Sequence, residues 1–120
     1  MTQKLPRILS GMAFNTNSVA QVAAIAAWDD TDHIRKCIDL NRRELTYLYA
    51  GLAQRGLKYV PSFANFVLVE LGKPAGEVTK ALLLQGVIVR RAWGCPTCMR
   101  VSVGTHEQNE RFFSALDKCL

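Results

Sequence analysis

The amino-acid sequence predicts one mixed α/β domain over residues 1–120, with element order ααββαββα and a lead-in segment at residues 1–16. Three observations predict it. The 120 residues are 49% hydrophobic and 21% charged, enough to fill one core and too few for two. The apolar period shifts from 3.6 to about 2 after Gly56 and returns to the helical value twice. No repeat, low-complexity tract or Ser- or Gly-rich linker divides the chain.

The elements follow in order. Asn15, Thr16 and Asn17 supply side-chain oxygens to cap a helix that starts near Ser18. Its apolar positions Val19, Val22, Ala23 and Ala26 fall at helical spacing, and Ala20, Ala24 and Ala27 form a second, small-residue face. Such a helix expects neighbours on both sides. Asp29, Asp30 and Asp32 break the pattern and place acidic groups at the start of a second helix, where its dipole favours them. That helix is predicted over residues 31–55. Ile34, Ile38, Leu45, Leu48 and Leu52 mark its buried stripe, while Arg35, Arg42, Arg43 and Glu44 lie off it and Gly56 suits a left-handed cap.

Residues 57–60 and 64–71 then read as strands separated by Pro61-Ser62, with Phe66, Val67, Leu68 and Val69 in a central strand. Gly72-Lys73-Pro74 turns the chain into a short helix marked by Val78, Leu82 and Leu83 and stopped at Gly86. Residues 87–90 and 99–103 form two more strands, joined by a loop carrying Trp93, Gly94, Cys95, Pro96 and Cys98. Thr105 and Gln108 make a capping-box pair, and Phe112, Phe113, Leu116 and Leu120 give the last helix its apolar face.

Fifteen Lys and Arg against ten Asp and Glu give a net charge of +5, which suits an anionic ligand. No basic run exceeds two residues, and Phe66, Phe112 and Phe113 lie on apolar patterns, so the charge is read as solvated helix faces rather than a nucleic-acid surface. The longest apolar run, residues 22–28, is seven residues and alanine-rich, so no membrane span and no secretory leader is expected and the setting is cytoplasmic. Cys37, Cys95, Cys98 and Cys119 are too few for a disulfide scaffold, and reduced thiols are expected.

Cys95 and Cys98, three apart, suit a disulfide, a soft metal or an electron relay. Yet Cys98 runs into a strand instead of opening a helix, and the other zinc ligands on offer, Cys37, Cys119, His33 and His106, lack paired spacing. The pair is therefore read as loop packing, with a Cys-based redox or metal protein ranked last. His33 and His106 sit in first turns beside Asp32 and Glu107 and read as surface residues. No G-x-S-x-G, P-loop or G-x-G-x-x-G string occurs.

Arg90 and Arg100 differ from the other basic residues because each falls on a strand whose other positions are apolar. A guanidinium there needs an anion. It grips a carboxylate or phosphate through two parallel hydrogen bonds, which makes it an anchor for an acidic small molecule. A structural ion pair with Glu70 or Asp117 is the equal alternative.

Four blocks carry a family resemblance: Phe14-Asn15-Thr16-Asn17 with Ala20-Gln21 and Ala23-Ala24; Pro61-Ser62 with Ala64-Asn65-Phe66-Val67-Leu68-Val69; Gly86-Val87-Ile88-Val89-Arg90; and Met99-Arg100-Val101-Ser102-Val103-Gly104-Thr105 with Glu107 and Asn109. In this order they resemble the C-terminal part of histidinol-phosphate aminotransferases, over nearly the whole chain. The resemblance implies the small α+β two-layer domain of a fold-type I enzyme dependent on pyridoxal phosphate, with helices packed on a largely antiparallel sheet. It implies that Arg100 anchors the carboxylate of glutamate or the phosphate of histidinol phosphate, that Arg90 assists, and that Asn65 approaches the substrate.

The same resemblance places the Schiff-base lysine upstream of Met1, together with the groups that hold the cofactor ring and phosphate. Lys4, Lys36, Lys58, Lys73, Lys80 and Lys118 match none of its motifs. The expectation is a truncated substrate-clamping domain of a transferase of histidine biosynthesis, without catalytic residues, cofactor or metal of its own and inactive alone. The parent reaction moves an amino group between glutamate or 2-oxoglutarate and an amino-acid-like substrate or histidinol phosphate. Its expected partners are a small anionic substrate, the missing large domain and a second copy, since Val19, Ala23 and Trp28 would form an exposed apolar patch. Exchange of the first helix is one route to that homodimer. A non-catalytic module that binds small anions or another protein is the alternative.

Overall fold

The computed structural model describes residues 16–120, so residues 1–15, which hold Asn15 and nearly all of the lead-in, lie outside the described residues. The described residues fall into two compact units, divided between Arg35 and Lys36. In the first, α1 (Ser18–Asp29) is capped by Asn17, whose Oδ1 accepts a hydrogen bond from the Ala20 N–H at 2.8 Å. Among the described residues α1 has no buried position, and Val19 is 77% exposed. Its apolar side chains are spread around the axis and make no single stripe that could be covered at once.

The unit boundary falls inside α2 (Thr31–Gln54). Leu45, Leu48 and Leu52 are buried as expected, but Ile34 and Ile38 stay 39% and 43% exposed. The burial of α2 starts only in its second half, so the apolar stripe is longer than the layer that covers it. Gly56, at φ +68°, ends the helix. Its N–H donates to Ala53 and that of Leu57 to Leu52, both at 3.0 Å, the paired closing bonds of a Schellman cap.

The remaining elements are β1 (Lys58–Val60), β2 (Phe66–Glu70), α3 (Ala75–Leu84), β3 (Arg90–Arg91), β4 (Cys98–Ser102) and α4 (His106–Leu116). The strands form one sheet in the order β1-β2-β4-β3, every pairing antiparallel. Element order and class are those the sequence predicts. One strand is shorter and later: residues 87–89 are not in the sheet. At the end of α3 the Val87 N–H donates to Leu82 at 2.9 Å after Gly86 at φ +76°, so the chain spends its first residues closing the helix and pairs only from Arg90.

Period-two alternation gives the sheet two unlike faces. Val67, Val69, Met99 and Val101 point into a core filled by Leu48, Leu52, Val78, Leu82, Phe112, Phe113 and Leu116. Phe66, Leu68, Glu70 and Arg100 lie on the opposite face, where Phe66, Leu68 and Glu70 are only half-buried and Arg100 is exposed. An antiparallel sheet tolerates one wet face.

Glu44, expected off the buried stripe, is fully buried. Its carboxylate accepts from Asn109 Nδ2 at 3.0 Å and Arg43 Nε at 3.1 Å, and His106 Nδ1 lies 3.3 Å away. Asn109 in turn accepts from the Gly104 N–H at 3.1 Å and donates to its carbonyl at 3.2 Å. Burial alone would raise the Glu44 pKa, but the hydrogen bonds from Asn109, Arg43 and His106, with the charge of His106, outweigh it and lower the value. The group is a buried tie between α2 and the start of α4, where Thr105 and Gln108 form the predicted capping box.

Candidate functional site

Arg90 and Arg100 stand directly opposite each other in the β3–β4 pair. Cross-strand partners bring their Cβ atoms to about 5 Å, a repulsive arrangement for two cations. The structural ion pair allowed by the sequence is not made. Among the described residues neither guanidinium has a carboxylate partner. Asp117 is held by Arg55, with Nη2 to Oδ2 at 2.7 Å, and this hydrogen bond lowers its pKa. Glu70 accepts from the Gly72 N–H at 2.9 Å and the Thr97 hydroxyl at 3.0 Å, which keep its carboxyl below its ordinary value against partial desolvation. Arg100 instead lies over the Phe66 ring, 4.8 Å from its centroid, a cation–π contact that steadies it without neutralising it.

Both arginines line an open cleft of about 870 Å³, with Leu68 at its floor and Arg91, Trp93, Cys95 and Pro96 around it. That size suits a small molecule. Arg91 was missing from the expected site because the predicted strand stopped at Arg90. In the structure Arg91 is paired with Met99 and its side chain runs beside Gly76 at the start of α3. Asn65 precedes β2 and is exposed; its carbonyl accepts from the Val103 N–H at 2.8 Å, and its side chain does not line this cleft.

One wall of the cleft is the loop at residues 92–97, and backbone bonds fix it at several points. The Ala92 N–H donates to Cys98 at 2.9 Å, the Leu71 N–H to Thr97 at 3.0 Å and the Ala75 N–H, at the first position of α3, to Pro96 at 2.9 Å. The Cys98 N–H donates to Cys95 at 3.2 Å, closing a turn that brings the two Cα atoms to 5.3 Å. At that separation a disulfide fits, and Cys95 and Cys98 are joined by one, contrary to the reduced thiols expected from composition. The expectation weighed the number of cysteines and not the turn that presents these two to each other.

The site is thus a rigid-walled, cationic cleft with an apolar floor and three guanidiniums for which the described residues supply no counter-charge. Such a cleft is chemically suited to a small anion carrying more than one oxygen.

No described helix is long and apolar enough to cross a membrane. Comparison with known proteins leads from this cleft to a family. The chain is 49% identical over 109 residues to histidinol-phosphate aminotransferase from Geobacillus sp. (strain WCH70), covering 89% of this chain and 30% of that protein. The same identity and coverage hold for histidinol-phosphate aminotransferase from Symbiobacterium thermophilum. The chain therefore spans about a third of the length of these relatives. Among solved structures, histidinol-phosphate aminotransferase from Sinorhizobium meliloti in complex with pyridoxal-5'-phosphate is 26% identical with a TM-score of 0.73, over 81% of this chain and 28% of that one. The Clostridium acetobutylicum histidinol-phosphate aminotransferase, 24% identical, shares the fold with a TM-score of 0.77 over 94% of this chain and 36% of that one. The model of aminotransferase class I and II matches residues 2–116, a range that takes in every strand and helix described and the whole arginine cleft, and the chain belongs to that family.

Proposed function

We propose that these 120 residues form the substrate-clamping domain of a histidinol-phosphate-aminotransferase-like enzyme, a single domain with residues 1–16 as its lead-in. The observation that carries this reading is the facing pair Arg90 and Arg100, exposed on one sheet face and lacking any carboxylate partner among the described residues. Arg100 holds the phosphate of histidinol phosphate or the carboxylate of glutamate, and Arg90 shares its charge. Asn65 meets the substrate from the loop before β2, beyond the cleft itself.

The pyridoxal phosphate implied by the family resemblance does not fit within the described residues. Lys36, Lys58, Lys80 and Lys118 are exposed and Lys73 Nζ donates to the carbonyls of Cys119 and Leu120 at 3.1 and 3.0 Å. None of them lines the arginine cleft. A lysine on open surface, outside any pocket that could hold the cofactor, is poorly placed to form a Schiff base with it. The proposal therefore assigns the cofactor to another part of the enzyme, makes this chain inactive alone and places its work in the cytoplasm. Exposed Val19, Val22, Ile25 and Trp28 on α1 support assembly with the large domain and as a homodimer.

Calorimetric titration of the purified chain with histidinol phosphate, and with 2-oxoglutarate, tests the clamp. Binding that falls at least tenfold in Arg100→Gln and less in Arg90→Gln supports it. Equal binding by both variants and the parent overturns it. Light scattering tests assembly: a monomer at high concentration removes the homodimer. Adding the large domain of a relative tests the inactivity: a complex that forms and stays inactive overturns the clamp reading.

A further inference from the structure

We propose that Glu70, Cys95 and Cys98 form a redox-gated site for a thiophilic divalent cation of the zinc class, beside the arginine cleft and independent of the clamp reading. They are the one group of three metal-ligating side chains within 4.8 Å of one another among the described residues. The two cysteines come from the loop before β4, and the carboxylate comes from β2, where Glu70 is the cross-strand partner of Cys98. The C-x-x-C spacing alone shows two ligands; the third becomes visible only through strand register, because it lies far upstream.

Three features distinguish this cluster from a structural disulfide with an acidic neighbour. First, Glu70 Oε2 lies 3.1 Å from Cys98 Sγ and 3.8 Å from Cys95 Sγ. A disulfide carries no hydrogen to donate, so lone pairs face lone pairs there. The contact becomes favourable only when a proton or a cation stands between them. Second, bonds of about 2.3 Å to sulfur and about 2.1 Å to oxygen at tetrahedral angles require sulfur–oxygen edges near 3.5 Å. The two observed separations bracket that value. Third, the carboxylate is already oriented: Gly72 N–H holds Oε1 at 2.9 Å and the Thr97 hydroxyl holds Oε2 at 3.0 Å. Supporting bonds of this kind fix ligand direction at metal sites.

Reduction opens the site. A dithiol delivers two electrons and two protons to the sulfurs, the S–S bond breaks, and the dithiol becomes a disulfide. The cation then displaces the two thiol protons, giving two metal–sulfur bonds and one metal–oxygen bond, with water completing a four-coordinate shell on the half-exposed Cys95 side. Two thiolates and a carboxylate together carry three negative charges that a divalent cation largely offsets. Oxidation reverses the sequence and expels the ion. In either state the wall of the cleft at residues 92–97 is stapled, by sulfur or by metal.

The test uses the whole chain reduced by a water-soluble phosphine, which becomes its oxide and does not compete for zinc as a dithiol does. Zn²⁺ is titrated against a chromophoric chelator, and Co²⁺ is used to read thiolate charge-transfer absorption. The expected result is one ion per reduced chain, none in the oxidised chain, loss of cobalt–thiolate absorption in Cys95→Ser/Cys98→Ser, and affinity weaker by tenfold or more in Glu70→Gln. Glu70→Gln keeps both sulfurs, so it remains informative if the double variant does not fold. No stoichiometric ion in the reduced chain, equal uptake by reduced and oxidised chains, or undiminished affinity in Glu70→Gln overturns the site.

Discussion

Gly51→Ala is expected to destabilise the domain, although helix propensity alone says the reverse. Gly51 lies inside α2 and is buried. In an exposed helix, replacing glycine by alanine gains about 1 kcal/mol. Here a Cβ at Gly51 would come within 3.0 Å of three atoms of the Phe113 ring. Real Cβ contacts do not sit so close, so the ring or the helix must move. The ring is not free to yield: Phe112 and Tyr47 stand 5.2 and 5.7 Å away centroid to centroid, and the Arg55 guanidinium lies 4.3 Å over its face. Overpacking by one methyl in such surroundings costs about 3 kcal/mol. Set against the propensity gain, the net loss is about 2 kcal/mol. For a domain of 120 residues that lowers Tm by about 8 °C. Thermal and urea unfolding followed by circular dichroism measure it, and Gly51→Ala/Phe113→Leu should recover part of the loss. A Gly51→Ala chain as stable as the parent refutes the packing argument.

Three further outcomes follow from the same structure. Since the folded Glu44 carboxyl has a lowered pKa, its contribution is fully present above the unfolded value and is lost as pH falls through the folded one. Unfolding at neutral and acidic pH should therefore show the gap between the parent and Glu44→Gln shrinking on acidification, and Asn109→Ala should cost about 1.5 to 3 kcal/mol by removing a bond to that buried charge. Arg90→Leu relieves the repulsion facing Arg100 and should stabilise the fold by about 0.2 to 1 kcal/mol while weakening anion binding, measured by urea midpoints and calorimetry. Thr105→Ala removes the side-chain half of the capping box and should cost about 1 kcal/mol in the same unfolding assay.

Signals confined to a few neighbouring residues were legible in the sequence. The cap at Asn17, the glycine ends at Gly56 and Gly86 and the Thr105–Gln108 box each depend on local geometry, and each is found. The central position of β2 follows from its continuous apolar run. What sequence pattern missed depends on partners distant along the chain. Glu44 looked solvated because nothing in α2 announces Asn109, whose side chain meets it across 65 positions. Ile34 and Ile38 belong to a well-formed stripe but lie beyond the layer that could bury them. The arginine pair was legible as unusual cations on apolar strands; their mutual register, the addition of Arg91 and the distance of Asn65 from the cleft were not. Cys95 and Cys98 announced themselves by spacing, but their bond depends on the turn between them and their third neighbour on β2.

The position of the cleft also explains how one short sheet combines a stable core with a destabilising charge pair. Along β4, Met99 and Val101 face the core while Arg100 faces outward between them. Along β2, Val67 and Val69 are buried while Phe66 and Leu68 support the cationic face. Each strand thus divides alternate residues between the core and the outward cationic face, and a shift in register by one residue would exchange the two sets. The inward residues bury apolar surface worth about 1.5 to 3 kcal/mol for each large side chain, more than the repulsion of one exposed arginine pair. That margin lets Arg90 and Arg100 remain without a carboxylate partner among the described residues. It also makes the two faces separable: on the proposed clamp reading, changes at Arg90 or Arg100 should alter anion binding with little effect on packing, whereas truncation of the buried Met99 or Val67 should destabilise the scaffold that aims them.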